Sequence, residues 1–219
     1  MHALQEIGRD FEAANPDARI HFHFAVSDAL VGEIINGTPI DVFVPDDDEL
    51  MDRVAPVMLA GTRRDVAANR LVLIVPPAPA AAGTPPLASL ADLATSRVER
   101  IAVCNPPQCP AGRYAKGALD RANLWAAVQP KFVYGADARE VRDHVVRGEV
   151  GAGFVYATDA SIVGERVKVA FYVPTLTPIR YSAAILRTSP EADLALAFIQ
   201  YLRSAPARQV LARYGFAGV

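Results

Sequence analysis

The sequence predicts an α/β fold in two lobes, each a mainly parallel sheet flanked by helices. Three observations lead there. Short apolar runs alternate with helix-spaced segments along nearly the whole chain, which is how strands joined through helices read. The 219 residues are 52% hydrophobic and 21% charged, enough for one large domain or two small lobes. A proline-rich stretch over 76–86, PPAPAAAGTPP, interrupts the pattern once and reads as a surface segment at an edge between lobes.

The elements follow in order. Leu4, Ile7 and Phe11 share one face of a helix over His2–Ala14, and Asn15-Pro16 ends it. Over Arg19–Val26, Ile20, Phe22, Phe24 and Val26 alternate with His21 and His23, so this stretch is expected to be a strand. Ser27 is expected to cap a helix over Asp28–Asn36. A buried strand over Ile40–Val44 and an acidic helix start at Pro45–Glu49, running through Val54, come next. Strands are then expected over Arg70–Val75, Arg100–Val103, Lys131–Tyr134, Ala152–Tyr156, Val167–Val173 and Arg180–Leu186. Helices are expected over Leu87–Leu93, from Pro110, over Ala138–Arg147, Pro190–Arg203 and Pro206–Tyr214.

In such folds ligands sit at the carboxyl ends of strands, where helices begin. Four such turns draw notice: Val26-Ser27, Cys109–Gly112, Asp137–Arg139 and Tyr156–Thr158. Pro110 opens a helix at a position where its missing amide had no partner, leaving the amides of Ala111 and Gly112 at the positive end of the dipole. Gly112 also lacks a side chain that would keep an anion away. Asp137 is a plausible cap that leaves the amides of Ala138 and Arg139. Hydroxyls and backbone amides with few cations suit a tetrahedral dianion, because neutral donors bind a charged acceptor about twice as strongly as a neutral one.

Other chemistries find less support. A net charge of −2 gives no electrostatic case for nucleic acid or an anionic membrane. His21 and His23 share a face but lack an evident third metal ligand, and the Asp46-Asp47-Asp48 run lacks the spacing of a calcium loop. A nucleophilic Ser27 would need a base, yet His2, His21, His23 and His144 show no motif and Ser27 is not in a G-x-S-x-G elbow. Cys104 and Cys109 either bridge within one loop or stay reduced. No apolar run is long enough for a membrane helix, and the opening MHALQEIGRDFEAAN does not read as a signal peptide.

Three ordered blocks carry a resemblance: Gly37-Thr38-Pro39-Ile40-Asp41-Val42-Phe43, Pro110-Ala111-Gly112-Arg113-Tyr114-Ala115-Lys116, and Gly153-Phe154-Val155-Tyr156-Ala157-Thr158-Asp159-Ala160. With them the chain resembles the periplasmic molybdate-binding proteins of bacterial ABC-type importers over nearly its whole length. The resemblance implies a type II periplasmic binding protein fold, with lobes over 1–73 plus 177–219 and over 74–176 and a ligand cleft between them. It implies molybdate or tungstate as ligand, held by the Ser27 hydroxyl, the Ala111 and Ala138 amides and the Tyr156 hydroxyl. No cofactor and no direct metal-ion ligands are expected beyond the oxyanion itself. A membrane permease is the implied partner, the periplasm the implied location, and binding rather than catalysis the implied role. Arg139 is expected to pair with Glu140 or Asp137, not to touch the ligand. Alternatives are another oxyanion such as sulfate, or a cytosolic sensor, although no DNA-binding segment is evident.

Similar proteins place an exported signal, a strand and a serine-bearing turn before the first helix, whereas this chain starts inside that helix. The expectation is therefore a shortened product lacking the first strand and one ligand serine. It would be a monomer or a strand-swapped dimer. A lost hydrogen bond to a charged ligand would weaken binding by about 1.5–3 kcal/mol.

Overall fold

A computed structural model describes residues 1–77 and 86–219. The proline-rich stretch expected at a lobe edge therefore lies largely outside the described residues. The chain divides into two units, Met1–Ala68 with Ile179–Val219 and Asn69–Pro178, against expected boundaries at 73 and 177.

Unit 1 begins with α1 (His2–Ala14), as its apolar spacing predicts; Ile7 and Phe11 are buried, and Phe11 packs edge-on against Phe198 and Tyr201. It continues with α2 (Ser27–Ile35), β1 (Val42–Phe43), α3 (Asp48–Val54) and β2 (Arg64–Asn69). β2 was not foreseen: its charged Arg64 and Asp65 hide a strand whose inner residues are Val66 and Ala67. The acidic run is explained by capping and pairing. Asp47 caps α3 by accepting from the Glu49 amide at 2.9 Å, and Asp48 pairs with Arg63 at 2.5 Å.

Unit 2 contains β3 (Leu71–Val75), β4 (Ile101–Cys104), α4 (Pro110–Arg121), α5 (Trp125–Val128), β5 (Phe132–Gly135), α6 (Ala138–Val146), β6 (Ala152–Tyr156), α7 (Ala157–Val163) and β7 (Lys168–Val173). The expected helix over Leu87–Leu93 is a 3-10 turn over Leu90–Ala94. The chain re-enters unit 1 through β8 (Ile179–Ile185), and α8 (Ala192–Leu202) and α9 (Ala205–Arg213) cover its core.

Two expectations are corrected. The sheet of unit 2 is mixed, not mainly parallel. Unit 2 orders its strands β5-β4-β6-β3-β7; β4 runs parallel to β5 and β6, while β3 is antiparallel to β6 and β7. The chain enters the unit along β3 and leaves along β7, so these neighbours run opposite ways with no helical crossover directing both. Unit 1 orders its strands β1-β8-β2, with β1 antiparallel to β8.

The second correction is Arg19–Val26, which is neither helix nor strand and joins no described sheet. Ile20, Phe22 and Phe24 are half-buried while His21, His23 and Ala25 are exposed, so the alternation holds through Ala25; Val26, expected on the inward side, is 51% exposed. Phe22 packs on Phe198 and stacks on Phe24. What is missing is a ladder. Among the described residues, 20–25 have no backbone–backbone hydrogen-bond partner, and the Ile20 amide donates instead to the Glu12 carboxylate at 2.6 Å. A cavity of about 480 Å³ separates this run from Pro39–Val44, including β1, and no described strand lies between them.

Candidate oxyanion site

In unit 2, β5, β4 and β6 are neighbours and parallel, so their carboxyl ends lie along one edge of the sheet. Three expected residues follow those ends. Ala138 opens α6 after β5, Ala111 lies in the first turn of α4 after β4, and Tyr156 closes β6. Ser27 belongs to unit 1.

At α4, Cys109 is the N-cap and makes no side-chain capping bond, and Pro110 is the first helical residue. The Arg113 amide returns to the Cys109 carbonyl at 3.1 Å. Ahead of it, the amides of Ala111 and Gly112 have no protein acceptor among the described residues, although Ala111 is 1% exposed and Gly112 is buried. Buried helix starts normally find acceptors, since an unpaired buried amide costs about 1–3 kcal/mol. The reason for glycine differs from the expected one. A Cβ on Gly112 would stand 2.1 Å from the Cys104 carbonyl oxygen and 3.1 Å from Pro106 Cα, so glycine admits the protein's own backbone, not an anion.

At α6, Asp137 caps the helix by accepting from the amides of Arg139 at 2.8 Å and Glu140 at 2.9 Å. The Arg139 amide expected to be available is thus engaged, and that of Ala138 alone has no acceptor among the described residues. The Arg139 guanidinium turns back on Asp137 at 2.8 Å. Burial pulls the Asp137 carboxyl upward, but hydrogen bonding from Glu140 and the Arg139 charge outweigh it and hold the group below its ordinary range.

Tyr156 is 6% exposed, and its amide donates to Asp159 Oδ2 at 3.3 Å. Burial pushes the Asp159 carboxyl up to about 6, against the pull of Arg142 and the Tyr156 amide. Next to it Asn69 Nδ2 donates to the buried Thr158 hydroxyl at 3.0 Å.

Ser27 is not a cap. Val26 holds that position, and Ser27 is the first helical residue. Its hydroxyl donates to Asp46 Oδ1 at 2.8 Å. A serine has one hydroxyl proton, so an oxyanion would have to draw it away from a carboxylate. The partnership with Asp46 was not legible because nineteen positions separate the two residues. Cys104 and Cys109 are joined in a disulfide, which resolves the open alternative. Among the described residues no group of three metal-ligating side chains forms, and no helix is long and apolar enough to cross a membrane.

A family model described as bacterial extracellular solute-binding protein matches residues 1–217. Molybdate-binding protein ModA of Haemophilus influenzae is 33% identical over 218 residues, which is 98% of this chain and 85% of that protein. Among solved structures, the substrate-binding domain assigned to a molybdenum ABC transporter from Clostridium difficile aligns with a TM-score of 0.84 at 26% identity, covering 100% of this chain and 94% of that one. The periplasmic molybdate-binding protein of Azotobacter vinelandii aligns with a TM-score of 0.78 at 20% identity, covering 99% and 94%, and so shares the fold.

Proposed function

This chain belongs to the bacterial extracellular solute-binding proteins, and on that premise we propose that it captures molybdate, with tungstate as an equivalent ligand, outside the cytoplasm and delivers it to an ABC-type permease. The donors are the amides of Ala111 and Ala138, the Tyr156 hydroxyl and the Ser27 hydroxyl once it leaves Asp46.

The observation that carries this reading is the start of α4. Two buried amides without a protein acceptor among the described residues stand at the positive end of a 12-residue helix with no capping side chain. An oxyanion supplies the acceptor they lack, and the dipole favours its charge. The Ala138 amide, at the next strand end, adds a donor of the same kind. Neutral donors fit this chain: Arg139 is engaged by Asp137, so it neutralises the cap and leaves recognition to the amides. A ligand held this way is released without separating an ion pair, which suits a carrier better than a scavenger.

The test is calorimetric titration with molybdate, tungstate and sulfate, repeated on Ala138→Pro. Proline at the first helical position removes only the amide proton, and Asp137 already has the extended backbone that must precede it, φ −146° and ψ 177°. Molybdate and tungstate are expected to bind and sulfate to bind more weakly. Ala138→Pro should weaken molybdate about ten-fold, the worth of one charge-assisted hydrogen bond. Equal affinity in the variant would remove Ala138 from the site; no binding of any of the three ions would refute the reading as a whole.

A further inference from the structure

Cys109 occupies the N-cap of α4, a position that favours Ser, Thr, Asp or Asn because their oxygens accept from the second and third helical amides. In α4 those amides are Ala111 and Gly112. A normal cap would therefore consume the donors on which the proposed function rests. α6 shows what such a cap does, since Asp137 takes the amides of Arg139 and Glu140.

The turn before α4 is held by other means. Cys104, the last residue of β4, is bonded to Cys109 across a separation of 5 residues. Between them the Gln108 amide donates to the Asn105 carbonyl at 3.0 Å, and Asn105 Nδ2 donates to Gln108 Oε1 at 3.2 Å. The Asn105 amide ties the loop to Gly135 at the end of β5. Gly112 lets the helix start lie directly against the Cys104 carbonyl. Both cysteines are buried, at 1% and 5% exposure.

We infer that the Cys104–Cys109 disulfide takes the place of a side-chain cap, fixing the start of α4 while leaving the Ala111 and Gly112 amides available to an oxyanion. The pair are positioning residues: they act through the amides and touch no ligand. The inference rests on the reading of α4 as part of the oxyanion site.

The experiment measures molybdate affinity and thermal unfolding for four forms of the chain. They are the oxidised protein, the same protein reduced by dithiothreitol, the double variant Cys104→Ala/Cys109→Ala, and Cys104→Ala/Cys109→Ser. Reduction passes two electrons and two protons from the dithiol to the sulfur pair, giving two thiols and the cyclic disulfide of the reagent. The alanine variant covers the case in which the buried bond resists the reagent. Opening the bond is expected to weaken molybdate about ten-fold while the protein stays folded at the titration temperature. Reoxidation should restore the affinity.

The serine variant separates positioning from plain stabilisation. It restores a cap, so it should melt higher than the alanine variant and yet bind molybdate more weakly, because its hydroxyl oxygen competes for the same amides. If serine recovers both melting temperature and affinity, the disulfide is only structural and the inference is overturned. Equal affinity in all four forms overturns it too, leaving molybdate binding intact. If the oxidised protein binds no molybdate, the underlying reading of the site falls, and the inference with it.

Discussion

The two units are both α/β layers, yet they satisfy their backbones differently. In unit 2 the strands β4, β6 and β3 each have neighbours on both sides, and a disulfide fixes the loop that leaves β4. Among the described strands of unit 1 only β8 has two neighbours, β1 is two residues long, and residues 20–25 line a cavity without joining a described ladder. The difference teaches that a buried face and a paired edge are separate requirements. Phe22 and Phe24 meet the first through aromatic packing, and nothing described meets the second for the backbone that carries them. Unit 2 is accordingly the more fully paired member, and it carries the helix-start amides that have no acceptor among the described residues.

The largest effect that could break this contrast is Gly112→Ala. A Cβ 2.1 Å from the Cys104 carbonyl forces the helix start off β4, so a loss of about 3 kcal/mol is expected, at the upper end for overpacking. Urea unfolding would measure it, and a loss below about 1 kcal/mol would mean that the loop before α4 yields to the added methyl.

Asp159 probes the same unit through pH. Its folded value near 6 lies above its ordinary 3.8, so the folded state binds the proton more tightly than the unfolded chain does. Its contribution is fully present below about pH 4 and is lost as pH rises through 6, for a total of about 2–3 kcal/mol. Asp159→Asn should abolish that decline and raise the unfolding midpoint at pH 7.5, with little change at pH 4. A decline of unchanged size in the variant would assign it to another group.

Asp46→Ala tests the donor in unit 1. It releases the Ser27 hydroxyl and removes a negative charge from its neighbourhood. Molybdate affinity should rise about ten-fold, one charge-assisted hydrogen bond regained. Unchanged affinity would take Ser27 out of the binding set.

The smallest expected effect sharpens the comparison. Gly32, inside α2, has nothing beyond its own helix backbone and chain neighbours within 4 Å of where a Cβ would stand. Gly32→Ala should stabilise unit 1 by about 0.5–1 kcal/mol through helix propensity alone. Alanine at Gly112 and alanine at Gly32 are thus predicted to act with opposite sign, and thermal unfolding of the two variants side by side reads it directly.

Element type was largely legible because it is local. The spacing of Leu4, Ile7 and Phe11 gave α1 its bounds, and AGFVY gave those of β6. Pairing was not, because it depends on residues far apart in sequence. Arg19–Val26 has the alternation of a strand but no partner, and the antiparallel neighbours β3 and β7 are separated by nearly the whole of unit 2. At the site, Pro110 and Gly112 marked the start of α4 correctly, but the reason for Gly112 lay in Cys104, eight positions earlier. Asp137 was recognised as a cap from its place before a helix. Ser27 was misassigned because a serine before a helical run looks the same whether its oxygen faces the helix amides or a distant aspartate.

The run from Ile20 to Ala25 also bears on how the protein behaves in concentrated solution. A segment that joins no described ladder and carries alternating aromatic residues is a template for strand addition, which natural sheets suppress at their borders with charge and irregularity. The border of unit 2 has both: β7 begins at Lys168, and its register with β3 shifts between Leu73 and Ile74. The outward side of the run in unit 1 carries His21, Ala25 and His23, the last bonded to the Glu33 carboxylate at 2.9 Å. Self-association on concentrating the protein is expected to begin at this run.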